Sequence, residues 1–184
     1  MMLLNSRQNA FIFNFPKHFF SSKLEEKYLA YVKRMPIPYD TLKDFMNSTI
    51  QQVSFPTFQA IDHVQQTRPG GFLQSYKSAT TIQNLIRRDF NVTFKLGEGF
   101  INYWIMYESI VDFLDFANED QVLPDLTLHL LDHEGIIMST VKFQQPIYTS
   151  LSEVQLNYSS TTPQFSTFNV GFRCNYVDIK LQIG

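Results

Sequence analysis

Cys174 is the chain's one cysteine, so no disulfide closes within it and a reducing compartment is the expectation. No stretch reaches the roughly 18 uninterrupted apolar residues of a membrane-crossing helix. Met1–Ala10 lacks an apolar run and Asn14 interrupts Phe11–Phe15, so no secretory leader is expected. Catalytic signatures are missing too. There is no Gly-x-Ser-x-Gly elbow. Gly70-Gly71, with Arg68 and Lys77 near, matches neither a Walker loop nor a dinucleotide fingerprint. His129 and His133 flank Asp132 and precede Glu134, and on a helix they would share a metal-binding face. The local pattern is strand then turn, which separates them by ~13 Å and favours solvent-facing histidines. Asp112 and Asp115, three apart on a helix, read as a solvated face rather than an acid/base pair. No enzyme, cofactor or metal is expected. Without repeats or low-complexity linkers, residues 1–184 read as a single domain.

Net charge is only -2, so nothing pulls the chain globally toward nucleic acid. The distribution carries more. Residues 1–100 hold 12 Lys and Arg against 7 Asp and Glu, and residues 101–184 hold 3 against 10, which accounts for the chain's 15 and 17. Unlike halves suit head-to-tail self-association. Eighteen phenylalanines exceed the needs of a small core and point to aromatic surface covered by other subunits.

Along the chain, Ala10–Phe15 reads as a strand closed by Pro16. Ser21-Ser22-x-x-Glu25 outlines a capping box before a helix over Lys23–Arg34, with Leu24, Tyr28, Tyr31 and Val32 as its stripe. Pro36 and Pro38 stop that helix, and Asp40 is placed to cap a second one, Thr41–Asn47. Residues 17–47 are thus a helical insertion. Thr49–Ile61 returns to strand character. Residues 65–84 form an extended polar loop or hairpin tip about Arg68-Pro69-Gly70-Gly71, with Tyr76 and Lys77 on its return. Asp89–Leu96 alternates cleanly, and Gly97-Glu98-Gly99 turns into a helix over Phe100–Phe116. The polar residues of that helix, Asn102, Glu108, Ser109, Asp112 and Asp115, leave a narrow wet strip. Most of its circumference is therefore expected to be covered, in part by a neighbouring subunit. After the acidic loop Asn118-Glu119-Asp120, Leu126, Leu128 and Leu130 alternate, and Asp132–Gly135 makes a hairpin turn. Ile136–Phe143 returns and Pro146 ends it. Val154, Leu156 and Tyr158 mark a further strand.

The organising stretch is Ser166–Leu181. Phe168, Val170, Phe172, Cys174 and Tyr176 form one face, and Asn169, Gly171, Arg173 and Asn175 the other. At Tyr176–Val177 the phase flips, making Val177, Ile179, Leu181 and Ile183 the apolar set. A bulge, or entry into a different environment, would produce this. Asn169, Arg173 and Asn175 are the candidate wet face, and Arg173 needs an acidic partner. Cys174, on the apolar face, is expected to be a buried, inert thiol.

The stretches Arg88–Phe94, Leu151–Tyr158 and Phe165–Tyr176, in this order of elements, resemble the tail-tube proteins of contractile-tailed bacteriophages. Through them the chain resembles the tube proteins of type VI secretion. The likeness covers roughly residues 50–184. It implies a mainly β (α+β) fold, a β-sandwich or small barrel with one flanking helix, beside the N-terminal helical insertion. It further implies hexameric rings whose sheets join into a continuous inner barrel. Those rings stack through a long loop, here Arg68, Pro69, Gly70, Gly71, Tyr76 and Lys77, with Asn169, Arg173 and Asn175 facing the lumen. The implied role is a virion tail-tube subunit, assembled in the host cytoplasm, with tail sheath or baseplate proteins as partners. DNA would pass through the lumen without sequence-specific binding, and no membrane is involved. The insertion at 17–47 departs from the simplest tube proteins and leaves a baseplate tube initiator or a tail terminator open. A monomeric ligand-binding β-barrel is the alternative from another class.

Overall fold

A computed structural model describes residues 9–56, 63–67, 70–71, 73–77, 88–115, 122–154 and 166–182. The elements are β1 (Phe11–Asn14), α1 (Ser22–Val32), α2 (Leu42–Thr49), β2 (Ile50–Val53), β3 (His63–Thr67), β4 (Leu73–Lys77), β5 (Asp89–Lys95), α3 (Ile101–Leu114), β6 (Leu126–Leu131), β7 (Ile137–Leu151) and β8 (Thr167–Leu181). Six strands form one antiparallel sheet in the order β1-β6-β7-β8-β5-β2, curled into a nearly closed barrel. At the seam between the outer strands, Phe15 N donates to Asn47 Oδ1 at 3.1 Å. The fold is mainly β, a small barrel with helices, as the resemblance implies.

Alternation becomes core wherever both strand neighbours are present. Phe90, Val92 and Phe94 of β5 lie opposite Phe172, Val170 and Phe168 of β8, and all six are buried. The rings of Phe90 and Phe143 stack at 4.1 Å between centroids, and those of Phe94 and Phe168 at 5.0 Å. Burying each such side chain contributes roughly 1.5–3 kcal/mol. Phe13, Phe15, Phe19, Phe20 and Phe45 fill the same core. Ten of the described phenylalanines are thus taken up in this core. Among the described residues the exposed large aromatics are Tyr31, Phe55, Trp104, Tyr107 and Tyr176.

Both helices of the insertion are present, with three corrections. Ser21 caps α1 through its backbone only, and its buried Oγ has no hydrogen-bond partner among the described residues, so the capping box does not close. Tyr31 stands exposed while Leu24 and Val32 go inward. Thr41, not Asp40, caps α2, because Thr41 Oγ1 accepts from Asp44 N at 3.1 Å. Asp44 then returns as acceptor for the Thr41 hydroxyl at 2.7 Å, a pairing Asp40 is one residue too early to make.

Pro146 does not end its strand, since β7 runs on to Leu151. Beyond Phe143, β7 has left β6 and pairs only with β8, and a one-sided stretch of strand tolerates proline. The phase flip in β8 is real and shared. Phe143↔Val177, Gln144↔Tyr176 and Pro146↔Cys174 keep register while both strands change faces, with Gln145 at φ 49 at the switch. In β7 the buried residues are Ser139, Val141 and Phe143 before the switch, and Pro146 and Tyr148 after it. Tyr176, placed with the apolar face by alternation, is exposed, and Arg88 stands over its ring at 5.3 Å. The core ends at Cys174, so the second apolar set outruns it: Val177 is half-buried, and Ile179 and Leu181 are 64% and 69% exposed.

The polar loop is in part a hairpin. β3 pairs antiparallel with β4, and Gly70 and Gly71 supply positive φ at the turn. Arg68, Pro69, residues 78–84 and the acidic loop 118–120 lie outside the described residues. Of the strand placed at Thr49–Ile61, β2 takes up Ile50–Val53, and residues 57–61 lie outside the described residues. Ser152–Val154 is irregular rather than strand, and Leu156 and Tyr158 lie outside the described residues.

Candidate assembly surfaces

The outward face of β5 and β8 carries amides, hydroxyls and the ion pair of Arg173 with Asp89. Arg173 Nε donates to Asp89 Oδ1 at 2.6 Å and Nη2 to Oδ2 at 3.1 Å, a two-pronged contact between directly opposed residues. The Asp89 carboxylate holds the exposed guanidinium firmly charged, above its ordinary value. Thr93 Oγ1 donates to Asn169 Oδ1 at 2.7 Å, Asn169 N to Ser152 Oγ at 2.9 Å, and Asn175 Nδ2 to Gln145 Oε1 at 2.9 Å. A shallow concavity of about 370 Å³ there is lined by Gln52, Ser54, Asn91, Thr93, Thr167 and Asn169. Asn169, Arg173 and Asn175 thus share an exposed face, and Arg173 has the acidic partner it needs. At Gly171 a Cβ would come within 2.3 Å of Ser150 Oγ and 2.7 Å of Thr149 Oγ1, where the register between β7 and β8 shifts. Glycine lets the two hydroxyls close over the backbone.

Two edges of the β7–β8 ribbon are open. β6 covers β7 only as far as Phe143, and β5 covers β8 only from Thr167 to Arg173. From Gln144 to Leu151 on one side, and from Asn175 to Leu181 on the other, no strand pairs among the described residues. Gln182 N donates back to Met138 O at 2.9 Å. By the alternation of an antiparallel ladder, the N–H groups of Ile179 and Leu181 then face the open side.

α3 is turned against its own composition. Asn102 is fully buried. Its Nδ2 donates to Lys95 O at 2.7 Å, and its Oδ1 accepts from Gly97 N at 3.0 Å and Tyr103 N at 3.1 Å. It thereby locks the turn in which Gly99 and Phe100 both take positive φ. Ser109 is buried against Tyr148, their hydroxyls 2.9 Å apart, and burial pushes the tyrosine's pKa well up. Both residues were assigned to the wet strip. The outward stripe is instead Trp104, Tyr107, Val111 and Leu114, between 47% and 64% exposed. Their i, i+3, i+7, i+10 spacing is that of a helix-packing seam. The signal that could have found this is Asn102 itself, one residue inside a helix that opens on a glycine turn, where an amide satisfies loop backbone.

The lone cysteine and the histidines of the β6–β7 pair and its turn make local contacts. Cys174 is buried, with its thiol pushed up to about 11 by burial, and its Sγ lies 3.5 Å from Arg88 O. His129 Nδ1 lies 2.9 Å from Thr140 Oγ1 across the strand pair, and His133 sits on the turn beside Glu134. Asp132 Oδ1 closes that turn by accepting from Glu134 N and Ile136 N, both at 2.8 Å. No helix among the described residues is long and apolar enough to cross a membrane.

No protein-family model matches the chain, and no curated protein matches it. Solved structures do. A chain of the anti-feeding prophage cap, described as a tube-terminating cap, superposes with a TM-score of 0.55 at 10% identity, covering 98% of this chain and 94% of that one. A chain of the anti-feeding prophage baseplate gives 0.55 at 10% identity over 97% of each. A chain of the sheath-tube complex of an extracellular contractile injection system gives 0.53 at 11% identity, over 96% of this chain and 92% of that one. At such identities the likeness is one of fold, and it extends over the helical insertion as well as the barrel. The chain has the tail-tube fold, the one its final strand and the elements before it resemble.

Proposed function

We propose that this chain is a structural, non-catalytic subunit of a tube in a contractile, tail-like particle. Copies of it join edge to edge into rings, and the rings stack. The observation that carries this reading is the β7–β8 ribbon, open on opposite sides at its two ends. The two edges differ, so pairing one to the other is head-to-tail and closes into a ring, which removes both edges. Ile179 and Leu181 lie beside the open edge of β8 and gain cover from the same contact. The ring is hexameric, and Asn169, Arg173 and Asn175 line its lumen. DNA is the passenger, and Asp89 offsets the positive charge that would otherwise hold it. The β3–β4 hairpin, with Gly70, Gly71, Tyr76 and Lys77, reaches the next ring. Sheath or baseplate proteins meet the outside. A tube initiator or terminator is a second reading, favoured by likeness to cap and baseplate chains as close as that to the tube. A ligand-binding monomer is disfavoured by a barrel interior packed with Phe15, Phe90, Phe94, Phe143, Phe168 and Phe172.

Ile179→Pro tests the joint, because it removes an N–H that faces the open side and leaves the internal ladder intact. The variant should keep its circular dichroism and lose the rings that the wild-type chain forms in sedimentation and negative-stain microscopy. Rings formed by the variant, or a 21.5 kDa monomer for the wild type at every salt and concentration, would refute the reading.

A further inference from the structure

β8 turns over once along its length. Cys174 N donates to Arg88 O, on the side of β5, at 3.2 Å, and Gln182 N donates to Met138 O, on the side of β7, at 2.9 Å. The two donors lie an even number of positions apart, so in a regular strand both N–H groups would point the same way. The pairs Gln144↔Tyr176 and Pro146↔Cys174 stay in register, which confines the turnover to the level of Gln145 and Asn175. Gln145 takes φ 49 there. Its own side chain and the proline after it both favour extended backbone, so the conformation is held from outside. Asp125, the residue before β6, accepts from Gln145 N through Oδ1 at 3.0 Å, where β6 itself has ended. Asp125 Oδ2 in turn binds Lys142 Nζ at 2.8 Å.

The turnover decides what the open edge of β8 is made of. With it, Val177, Ile179 and Leu181 point their N–H groups to the side where no strand pairs among the described residues, and Asp178 and Lys180 point theirs to β7. Without it the two sets would exchange, and their side chains would exchange faces with them. β7 and β8 stay paired across the switch, so turning β7 at Gln145 turns β8 as well. We infer that Gln145, latched by Asp125, is a conformational device that fixes which amides β8 offers to another strand. A carboxylate beside β6 thereby sets, through the backbone of β7, the hydrogen-bonding side of β8. The device rests on the reading that copies join through that edge, and it supplies what makes the edge ready to join.

Asp125→Ala removes the acceptor and leaves both strands of the ribbon intact. Gln145→Gly removes the need for it, since glycine takes a positive φ unaided. Amide hydrogen exchange of the full chain, dilute and unassembled, reads the device directly. In the wild type, Asp178 and Lys180 should exchange about tenfold or more slowly than Ile179 and Leu181. In Asp125→Ala that difference should vanish, and the concentration needed for assembly should rise about tenfold or more. Gln145→Val, with Asp125 in place, should lose the pattern in the same way, because a β-branched residue resists positive φ. Adding Gln145→Gly to Asp125→Ala should restore both pattern and assembly, a rescue that loss of the Lys142 ion pair alone would not show. The inference is overturned if Asp125→Ala or Gln145→Val keeps the wild-type pattern, if either loses the pattern and still assembles like the wild type, or if glycine does not rescue. Should those results come with Ile179→Pro still abolishing rings, the strand joint stands and only the latch falls. A wild-type chain that shows the pattern and its rescue but never assembles keeps the latch and removes the joint.

Discussion

The β5–β8 pair and α3 obey opposite rules. In the strand pair, every inward position from Phe90 to Phe94 and from Phe168 to Cys174 is apolar and buried, and every outward one except Gly171 is polar. In α3, Asn102 and Ser109 are buried while Trp104, Tyr107, Val111 and Leu114 face out. The strand pair is complete within one chain. Both its neighbours are present, its ion pair is closed, and its face toward water is wet. The helix satisfies its inward polar groups with specific hydrogen bonds and leaves its seam uncovered. The four exposed apolar side chains lie on one stripe of the helix.

The largest break in that comparison is Phe172→Asp set beside Asn175→Asp. The first buries an unpaired carboxylate in the phenylalanine stack, where Phe172 meets Phe90 at 5.3 Å and Tyr148 at 5.2 Å, and should cost more than about 4 kcal/mol. The second changes an exposed amide on the wet face and should stay within about 0.5 kcal/mol. Soluble yield and denaturant midpoints of the two variants measure it. Equal behaviour would mean that the two faces of β8 have been exchanged.

A smaller break lies in α3. Asn102→Ala leaves Lys95 O and Gly97 N without their side-chain partner at a buried site, so about 1–3 kcal/mol should be lost. Trp104→Gln, on the seam, should leave the stability of the monomer within about 0.5 kcal/mol, since half-exposed rings give up little on replacement. Reversed costs, with Trp104 the expensive position, would show that the seam is covered within the chain.

The same contrast explains what was legible in the sequence. Period-2 alternation was readable in β5, β6 and β8 because each is flanked by strands of this chain, so composition and burial agree. The phase flip at Tyr176–Val177 was readable too, although its cause, a face change shared with Gln145, belongs to two strands at once. α3 was misread because Asn102 and Ser109 were sorted by polarity, and their partners, Lys95 O and the Tyr148 hydroxyl, are tertiary. Pro146 was misread as a stop because nothing local tells that β6 has already ended. The acid partner of Arg173 was foreseeable as a need, but its identity as Asp89 required the register between β5 and β8. The open ribbon edges, on which the proposed assembly depends, were not legible, since they arise from two covering strands ending at different heights.

The smallest expected effect concerns the contact that ties α1 to α3. Glu108 Oε1 accepts from Lys27 Nζ at 2.5 Å and from the Tyr28 hydroxyl at 2.8 Å. The Lys27 hydrogen bond in first place holds the carboxyl below its ordinary value of 4.5, and the Lys27 ammonium is correspondingly raised. A carboxylate whose folded pKa is depressed stabilises the fold fully above its unfolded value, and loses that contribution as pH falls through the folded one. The contact is largely solvated, so its contribution is modest and salt-sensitive. Glu108→Gln keeps an acceptor for Tyr28 and removes the titration. The thermal midpoint of the wild type should exceed that of the variant by a constant margin from neutral pH down to about pH 5, and the margin should shrink below it. Added salt should narrow the margin at neutral pH in the same direction. A difference that persists unchanged into the acid range would mean that Glu108 acts on α1 through packing rather than charge, alongside the buried Leu24 and Val32.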